Sequence, residues 1–457
     1  MSSNRKQILY HRRICKTIKR DHLKDVYYLA TRYVMLSEWF IPRGKRNYLT
    51  KHAYIEKMAR KFDKNFFERA LRSSYNDETI EILEYDVENC CVKGANFLSD
   101  LYRSKLKLKS STKENEKEYG MNVIVKCEPS MDALALEICS RQNLFETELK
   151  IYTDVLKEIE KITCQKIGPK LLYSSMDSKI LVMEDLNIEG YKTMDQQKGL
   201  SLLHCLLIIY KMAALHAGSV ALCEKNPELV KSFKGGILVN VPESFLKLSE
   251  ISIINACREI RRWSNDFNDY ANKLERFAEK IKRKEDAAEI YQYEMDEFCV
   301  INHGDCWINN IMFKDNELGE PSEVLLVDYQ MSVYSSPAID LLYFLNICPD
   351  NKLKYEKEDY FLTLYIRTLG NIMETIGCVT KPPTIKDLKR SMYKRRLYAI
   401  FAGIVLYPRM VADECENFEE VLGKLDGKTK LNVFKKEETI LSMRKFIKFM
   451  NEQNYFD

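Results

Sequence analysis

The stretch His303–Asn310, with the sequence HGDCWINN, decides how this chain is interpreted. It places a histidine, an aspartate and an asparagine in the spacing H-x-D-x-x-x-x-N, with apolar runs at 298–301 and 311–313 on either side. A third apolar run ends in Asp328. A single aspartate in a turn is most often a cap or turn residue. The joint pattern of polar loop and strand ends is far more specific.

These residue types suit phosphoryl transfer. That reaction needs a carboxylate to hold the attacking hydroxyl and accept its proton, and oxygen ligands to hold magnesium against the phosphates. We therefore predict Asp305 as the catalytic base and Asn310 and Asp328 as the metal ligands. His303 is interpreted as a structural residue of the loop rather than a proton carrier. The cofactors that follow from this pattern are ATP and Mg²⁺.

A lysine upstream supplies the expected phosphate contact. Lys126 ends an apolar strand, MNVIVK, and a helix follows in which Glu148 can orient it. Glu137 and Glu146 compete with Glu148 for that role. The bland alternative for Lys126 is an exposed lysine at a strand end. We predict Lys126 and Glu148 as part of the catalytic machinery.

Two further segments are candidates for nucleotide contacts. A loop before the first hairpin contains Gly94, Asn96 and Ser99, which we predict as phosphate-binding residues, although a single glycine in a loop is usually just a turn. Glu184 and Leu186 follow an apolar strand where a hinge between two lobes is expected. There the backbone, rather than the side chains, would meet the adenine.

The order of patterns indicates a small sheet lobe followed by a larger helical lobe, an α+β architecture with a cleft between the lobes. The predicted domains are a basic extension (1–60), an N-lobe (61–185) and a C-lobe (186–457) with a helical insert at 218–297. The expected N-lobe elements are a helix at 66–82, strands at 99–108 and 121–127 around a charged turn at 110–119, a helix at 144–162, and strands at 170–173 and 179–183.

The spacing after Asp328 favours a small-molecule acceptor. Only eight residues separate Asp328 from Pro337, which leaves no room for the peptide platform that protein kinases form there. Asp340 is expected to cap the next helix or to brace the catalytic loop. The insert, taken to follow a helix that ends at Ala217, is predicted to wall an apolar acceptor pocket together with C-terminal helices at 393–410 and 433–450. Its aromatic residues, each of which alone is more simply a core residue, are Trp263, Phe267, Tyr270, Phe277, Tyr291 and Tyr293.

Composition is that of an ordinary globular protein of 457 residues, with 46% hydrophobic and 30% charged residues. The 14 cysteines show no metal-site spacing, and many lie in apolar runs, which favours reduced thiols and a cytoplasmic location. No transmembrane segment, no nucleic-acid partner and no obligate protein partner are expected. Residues 1–60 carry 15 Lys or Arg against 4 Asp or Glu. A solvated extension is the simplest interpretation, and a mitochondrial transit peptide is an alternative.

The chain resembles the ecdysteroid kinase-like family (the CHK kinase-like domain), which is related to choline kinases and aminoglycoside phosphotransferases. The resemblance implies a protein-kinase-like bilobal fold and ATP-dependent phosphorylation of a hydroxyl group. The implied acceptors are ecdysteroids or other lipophilic compounds, with roles in hormone inactivation or detoxification. The segments that carry the resemblance are 94–99, 124–126, 145–152, 182–186, 215–217, 303–313, 328–330 and 336–343.

Two other functions stay open at the level of sequence. One is a pseudokinase that binds a ligand or nucleotide without turnover, which the weak glycine loop supports. The other makes the basic residues 1–60 the functional element, tethering the body to a membrane or nucleic acid.

Overall fold

The computed structural model describes residues 62–90, 98–112, 115–129, 133–412 and 431–457. The predicted basic extension lies outside the described residues, and so do Gly94 and Asn96 of the predicted phosphate loop. Residues 64–457 form one compact unit.

The small lobe is built on a five-stranded antiparallel sheet with the strand order β1-β2-β3-β5-β4. The register places Arg103 opposite Ile124, and Ile124 opposite Met183. Because side chains alternate along a strand, Ile124 and Lys126 share one face of the sheet. The strands are β1 (Glu81–Asn89), β2 (Asp100–Thr112), β3 (Asn115–Cys127), β4 (Leu171–Ser175) and β5 (Ile180–Glu184).

The first helix, α1 (Lys64–Tyr75), is shorter than the predicted helix at 66–82. Asn76 has a left-handed backbone with φ of 51°, and the Asp77 carboxylate accepts a 2.9 Å hydrogen bond from the Thr79 N–H. These local bonds end the helix. The residues assigned to its last turns instead lead into β1, so this part of the prediction was wrong.

The predicted charged turn at 110–119 was also wrong, because most of it is strand. The hairpin continues to Thr112 on β2 and starts again at Asn115 on β3. Lys107 and Glu118 form a diagonal ion pair across the two strands, with 3.3 Å between the charged atoms, since Glu118 lies opposite Lys109 in the register. Opposite charges at neighbouring cross-strand positions support pairing, so a charged sequence here forms a long hairpin.

A helical segment crosses the small lobe between β3 and β4. It begins with α2 (Ala133–Gln142) and, after Asn143, continues as α3 (Leu144–Lys150). A π-helical turn (Ile151–Leu156) joins α3 to α4 (Lys157–Thr163). This path covers the predicted helix at 144–162.

The large lobe is mostly helical, and its central helix α5 (Leu202–Lys225) runs past the predicted end at Ala217. Of the described helices, α5 alone is long and apolar enough to cross a membrane, but 78% of its most apolar window is buried within the protein. It is therefore a core helix of this lobe. The other helices are α6 (Pro227–Lys231), α7 (Glu243–Ile260), α8 (Asn268–Ile281), α9 (Lys284–Glu289), α10 (Ala338–Ile347), α11 (Glu358–Thr375), α12 (Ile385–Lys394), α13 (Arg396–Ile400), α14 (Tyr407–Met410) and α15 (Glu437–Glu452). A second π-helical turn, Phe401–Leu406, joins α13 to α14.

Two small sheets in the large lobe position the polar loop of the opening motif. Their strands are β6 (Lys192–Thr193), β7 (Val300–Asn302), β8 (Ile311–Asp315), β9 (Pro321–Leu326) and β10 (Val333–Ser335). Strand β7 pairs with β10, whereas β8 lies between β6 and β9. The loop thus leaves one sheet and enters the other, and Asp328 follows β9. This is the predicted α+β bilobal, protein-kinase-like architecture.

Candidate active site

The loop between β7 and β8 is held from behind by one buried carboxylate. Asp340 accepts hydrogen bonds from the backbone N–H groups of His303 (2.7 Å) and Gly304 (2.8 Å). It also contacts Nε2 of His216 at 3.1 Å. Burial disfavours the charged form, yet these bonds hold the pKa of Asp340 below its usual value. Asp340 therefore stays ionised and braces the loop.

Gly304 is the one position of this loop that requires glycine. Its φ is 82°, in the left-handed region. A Cβ at this position would lie 2.0 Å from the carbonyl oxygen of Met331. The motif glycine thus lets the loop pass directly beside the chain that follows Asp328.

The buried His303 ring links the loop to the end of β9. Its Nε2 lies 3.0 Å from the carbonyl oxygen of Val327, and its Nδ1 lies 3.3 Å from the N–H of Asp305. Both ring nitrogens are engaged when the imidazole is neutral with the proton on Nε2. Burial lowers the pKa of His303, which agrees with a neutral ring in a structural position.

Asp305 stands at the centre of the site, with a donor on each carboxylate oxygen. The hydroxyl of Tyr343 donates to Oδ1 (2.5 Å), and Nδ2 of Asn310 donates to Oδ2 (2.9 Å). Burial raises the pKa of Asp305 to about 7, with the two hydrogen bonds acting in the opposite direction. A carboxylate with a pKa near neutrality is suited to accept a proton from a hydroxyl group.

Sequence reasoning missed Tyr343. A signal was available, because Tyr343 lies three residues after Asp340 on α10 and so shares a helix face with it. A residue on that face is directed at the same loop.

Lys126 joins the two lobes through a pair of carboxylates. Its Nζ lies 2.6 Å from Glu148 on α3 and 2.8 Å from Asp328. The competing carboxylates lie elsewhere, since Glu137 pairs with Arg141 and Glu146 lies 3.8 Å from Lys179. Of the three candidates, the structure brings Glu148 to the lysine.

The charges of this trio are mutually dependent. Burial alone would lower the pKa of Lys126, but the carboxylates of Asp328 and Glu148 outweigh it and raise the pKa above its usual value. Burial raises the pKa of Glu148 to about 7, against the effect of Lys126. Asp328 has a φ of 68°, an uncommon conformation for a residue other than glycine. The backbone is thus strained at Asp328, just after β9, and strain of this kind is typical of functional sites.

A first cavity of about 360 Å³ lies between the lobes at Lys126. The predicted hinge residues Glu184 and Leu186 line it, as do Asn310 and Asp328. The Glu184 carboxylate forms an ion pair with Lys166 (2.7 Å) and accepts a hydrogen bond from the backbone N–H of Lys170 (2.8 Å). Its side chain therefore has a structural partner, as expected if the hinge backbone meets the ligand.

A second unpredicted contact lies in the lining of this cavity. Nε of Arg103, on β2, lies 2.6 Å from the buried Asp185 of the hinge. Asp185 also accepts a hydrogen bond from the N–H of Asn187 and so caps the turn after the hinge. The small-lobe sheet is thereby tied to the hinge.

A second cavity, of about 210 Å³, opens at Asp305 and meets the first at Asn310 and Asp328, which line both. Ser99, predicted as a phosphate contact, lies here rather than in the first cavity. Most of the lining is apolar. The remaining lining residues are Leu98, Ile138, Ile237, Val241, Phe245, Trp307, Gln330, Met331, Tyr343, Leu406 and Met410.

None of the six aromatic residues named for the insert lines this cavity, which agrees with the simpler interpretation of each as a packing residue. Trp263 packs against Phe267 and beneath Arg444 of α15, and Phe277 contacts Phe456. These rings pack against the C-terminal helix and the residues after it. The insert contributes Ile237, Val241 and Phe245 to the cavity, and the stretch that ends at Met410 contributes Leu406 and Met410. That these walls bind the acceptor stays a prediction.

Asn310 and Asp328 fit a magnesium site. Among the described residues, no group of three or more His, Cys, Asp or Glu side chains could hold a metal ion. Mg²⁺ needs fewer protein ligands, because it usually takes one or two carboxylates and completes its shell with phosphate and water. The amide nitrogen of Asn310 is used by Asp305. Its oxygen is therefore the group that would join the Asp328 carboxylate.

Comparison with known proteins identifies the family. The family model described as "Ecdysteroid kinase-like family" matches residues 93–378, which is more than half of the chain. The chain belongs to the ecdysteroid kinase-like family. Its match spans the catalytic loop, Lys126, Glu148 and Asp328, so the resemblance found in the sequence is confirmed.

Other comparisons add less about this ecdysteroid kinase-like protein. No curated protein sequence matches the chain significantly. Among solved structures, a ternary complex of streptomycin, ATP and APH(2″)-IIa matches with a TM-score of 0.33 and 14% sequence identity. That match covers 73% of this chain and 88% of the other. The family match, not this likeness, carries the identification.

Proposed function

We propose that this protein is an ATP- and Mg²⁺-dependent kinase that transfers the γ-phosphoryl group to a hydroxyl group of a lipophilic small molecule, such as an ecdysteroid or a xenobiotic. One observation carries the proposal. Asp305, with its raised pKa, lies in the mostly apolar second cavity, which meets the first cavity, the one that contains Lys126, at Asn310 and Asp328. The arrangement supplies one compartment for each substrate, with the base at their junction.

Each residue has a distinct part in the proposed reaction. Mg-ATP bound in the first cavity would supply the phosphoryl group and neutralise its developing charge. Lys126, oriented by Glu148, holds the phosphates, while Asn310 and Asp328 provide oxygen ligands. Asp305 accepts the proton of the acceptor hydroxyl as the new O–P bond forms and the bond from phosphorus to the ADP oxygen breaks. Positioning by the braced loop contributes most of the rate.

Two features support a small acceptor over a protein. The chain between Asp328 and α10 is short and mostly buried, and β10 within it is paired with β7. It therefore offers no exposed platform for a peptide. In addition, Asp305 and Asp328 are the carboxylates among the described residues that line the second cavity. Both have roles in the proposed reaction, and most of the lining is apolar, which favours an uncharged and apolar alcohol.

The cysteines support a cytoplasmic location. Those in the described part of the chain form no disulfide bond, and most are buried. Burial raises the pKa of several of them, including Cys205 and Cys306. Unreactive reduced thiols of this kind are typical of proteins in reducing compartments.

The test is magnesium-dependent ADP release by the purified protein with a panel of ecdysteroids, choline and plant phenolics. We expect release with a lipophilic alcohol and its loss in Asp305→Asn, which keeps the shape of the side chain but removes the base. Asp315→Asn is the matched control, because Asp315 pairs with Lys192 outside both cavities.

Three outcomes separate the readings. Acceptor-dependent release that Asp305→Asn abolishes and Asp315→Asn retains supports the kinase. Binding of Mg-ATP without release for any acceptor is the behaviour of a ligand- or nucleotide-binding pseudokinase. Release that persists in Asp305→Asn would show that another group is the base.

A further inference from the structure

Tyr343 makes the shortest contact to the proposed base. Its hydroxyl lies 2.5 Å from Oδ1 of Asp305, and only 1% of the residue is exposed. Burial raises the pKa of Tyr343 well above its usual value, so the hydroxyl keeps its proton and acts as a donor. A hydrogen bond from a buried hydroxyl to a carboxylate is a strong directional constraint.

The ring of Tyr343 is itself held in place by other aromatic rings. It stacks on Tyr398 with centroids 6.0 Å apart and an angle of 25° between the planes. Tyr398 in turn stacks on Phe401 and packs edge-on against Tyr291. The Tyr398 hydroxyl lies 3.5 Å from the carbonyl oxygen of Gly304. This packing leaves the Tyr343 hydroxyl little freedom to move away from Asp305.

The two donors on Asp305 belong to different parts of the site. Asn310 is on the catalytic loop and is also a proposed metal ligand. Its hydrogen bond to Asp305 is therefore coupled to the binding of Mg-ATP. Tyr343 comes from α10, the helix that also carries Asp340. One helix therefore fixes both the backbone of the loop and the carboxylate of the base. Together the two donors prevent rotation of the carboxylate group.

We propose that Tyr343 is a positioning residue for phosphoryl transfer, whose hydroxyl holds the Asp305 carboxylate towards the acceptor hydroxyl in the apolar cavity. This inference rests on the proposed kinase function. Tyr343 lines the acceptor cavity and is absent from the lining of the nucleotide cavity. Its contribution therefore belongs to the chemical step and to the acceptor, not to nucleotide binding.

The test is Tyr343→Phe, which retains the stacked ring and removes only the hydroxyl. We expect kcat with the accepted alcohol to fall about 10- to 100-fold, the usual cost of losing a group that orients a reactive one. The KM for Mg-ATP should stay within about twofold of wild type, because Lys126 and Glu148 are untouched. Urea unfolding, measured in parallel, should show that the variant remains folded, so that unfolding does not account for the loss of kcat.

Tyr191→Phe is the matched control. The Tyr191 hydroxyl donates to the Glu323 carboxylate at 2.7 Å, a bond of the same type that lies outside both cavities. It should keep the wild-type kcat. Wild-type kcat in Tyr343→Phe would overturn the inference, and so would an equal loss in both variants or a parallel loss of Mg-ATP affinity. If the wild type is inactive with every alcohol, the proposed function fails and this inference falls with it.

Discussion

The two cavities that meet at Asn310 and Asp328 differ in the charged groups that line them. The first, proposed to hold the nucleotide, contains two sets of ion pairs, with Lys126 between Glu148 and Asp328 and with Arg103 paired to Asp185. The acceptor cavity is mostly apolar, and its lining comes from α2, the insert, α10 and the end of the second π-helical region. Its polar lining residues are Asp305, Trp307 and Asn310 of the loop, together with Ser99, Asp328, Gln330 and Tyr343.

This difference shows where the chemistry and the choice of substrate reside. Charged groups at fixed positions would bind the same phosphate groups whatever the acceptor is. Short sequence motifs are therefore enough to supply them. Apolar walls discriminate by shape, and one methylene changes binding by only about 1–3 kcal/mol. Their specificity therefore depends on how separate elements pack together. Substitutions in the two cavities should have effects of different kind and size.

The largest effect is expected on the charged side, from Lys126→Met. This change leaves Glu148 and Asp328 without the cation that both contact. Loss of such a preorganised charge typically lowers kcat by about 10²- to 10³-fold. Steady-state kinetics with Mg-ATP as the varied substrate measures it. Lys105→Met is the control, because Lys105 is exposed on β2 and its ion pair is with the exposed Glu88, at 3.5 Å. Comparable activity in the two variants would contradict the assignment of Lys126.

The next largest effect is expected in the loop that carries Asp305, from Gly304→Ala, with Gly319→Ala as the comparison. Gly304 and Gly319 have similar positive φ values, 82° and 76°. An added Cβ meets Met331 at Gly304 but meets open space at Gly319. Gly319→Ala should therefore cost only the strain of a left-handed backbone, about 1–2 kcal/mol in unfolding free energy. Gly304→Ala should cost more and should also reduce kcat, since the loop that carries Asp305 must move.

Urea unfolding and steady-state kinetics on the same two proteins measure these effects. A loss of stability in Gly304→Ala no greater than that in Gly319→Ala, with wild-type kcat, would show that the loop has room for a side chain. The close approach to Met331 would then not govern the position of Asp305.

The contrast between the cavities also explains what could be predicted from sequence. Lys126 and Glu148 were predictable because a strand and the helix after it bring them together in this architecture. Asp305, Asn310 and Asp328 lie in one short stretch of chain. Their relative positions are set by local geometry, so a spacing pattern is enough to find them.

The acceptor cavity was much less predictable, for a physical reason. Ile237 and Phe245 reach it because the chain before α7 and the first turn of α7 pack against Ile138 of α2, a contact between residues far apart in sequence. Aromatic content alone pointed instead to Trp263 and Phe267, whose partners are Arg444 and Lys448 of α15. Periodicity identifies an apolar face but not the element that covers it.

The smallest effect is expected on the apolar side, from Phe245→Ala. Phe245 lines the acceptor cavity, so its truncation should raise the KM for a bulky alcohol by about tenfold while the KM for Mg-ATP and the charged trio are unaffected. Phe267→Ala is the matched control, since Phe267 belongs to the same insert but packs outside the cavity against Trp263. It should leave both KM values at the wild-type level. If Phe267→Ala instead raises the acceptor KM and Phe245→Ala does not, the acceptor binds among the outer aromatic residues. The apolar cavity at Asp305 would then not be its site.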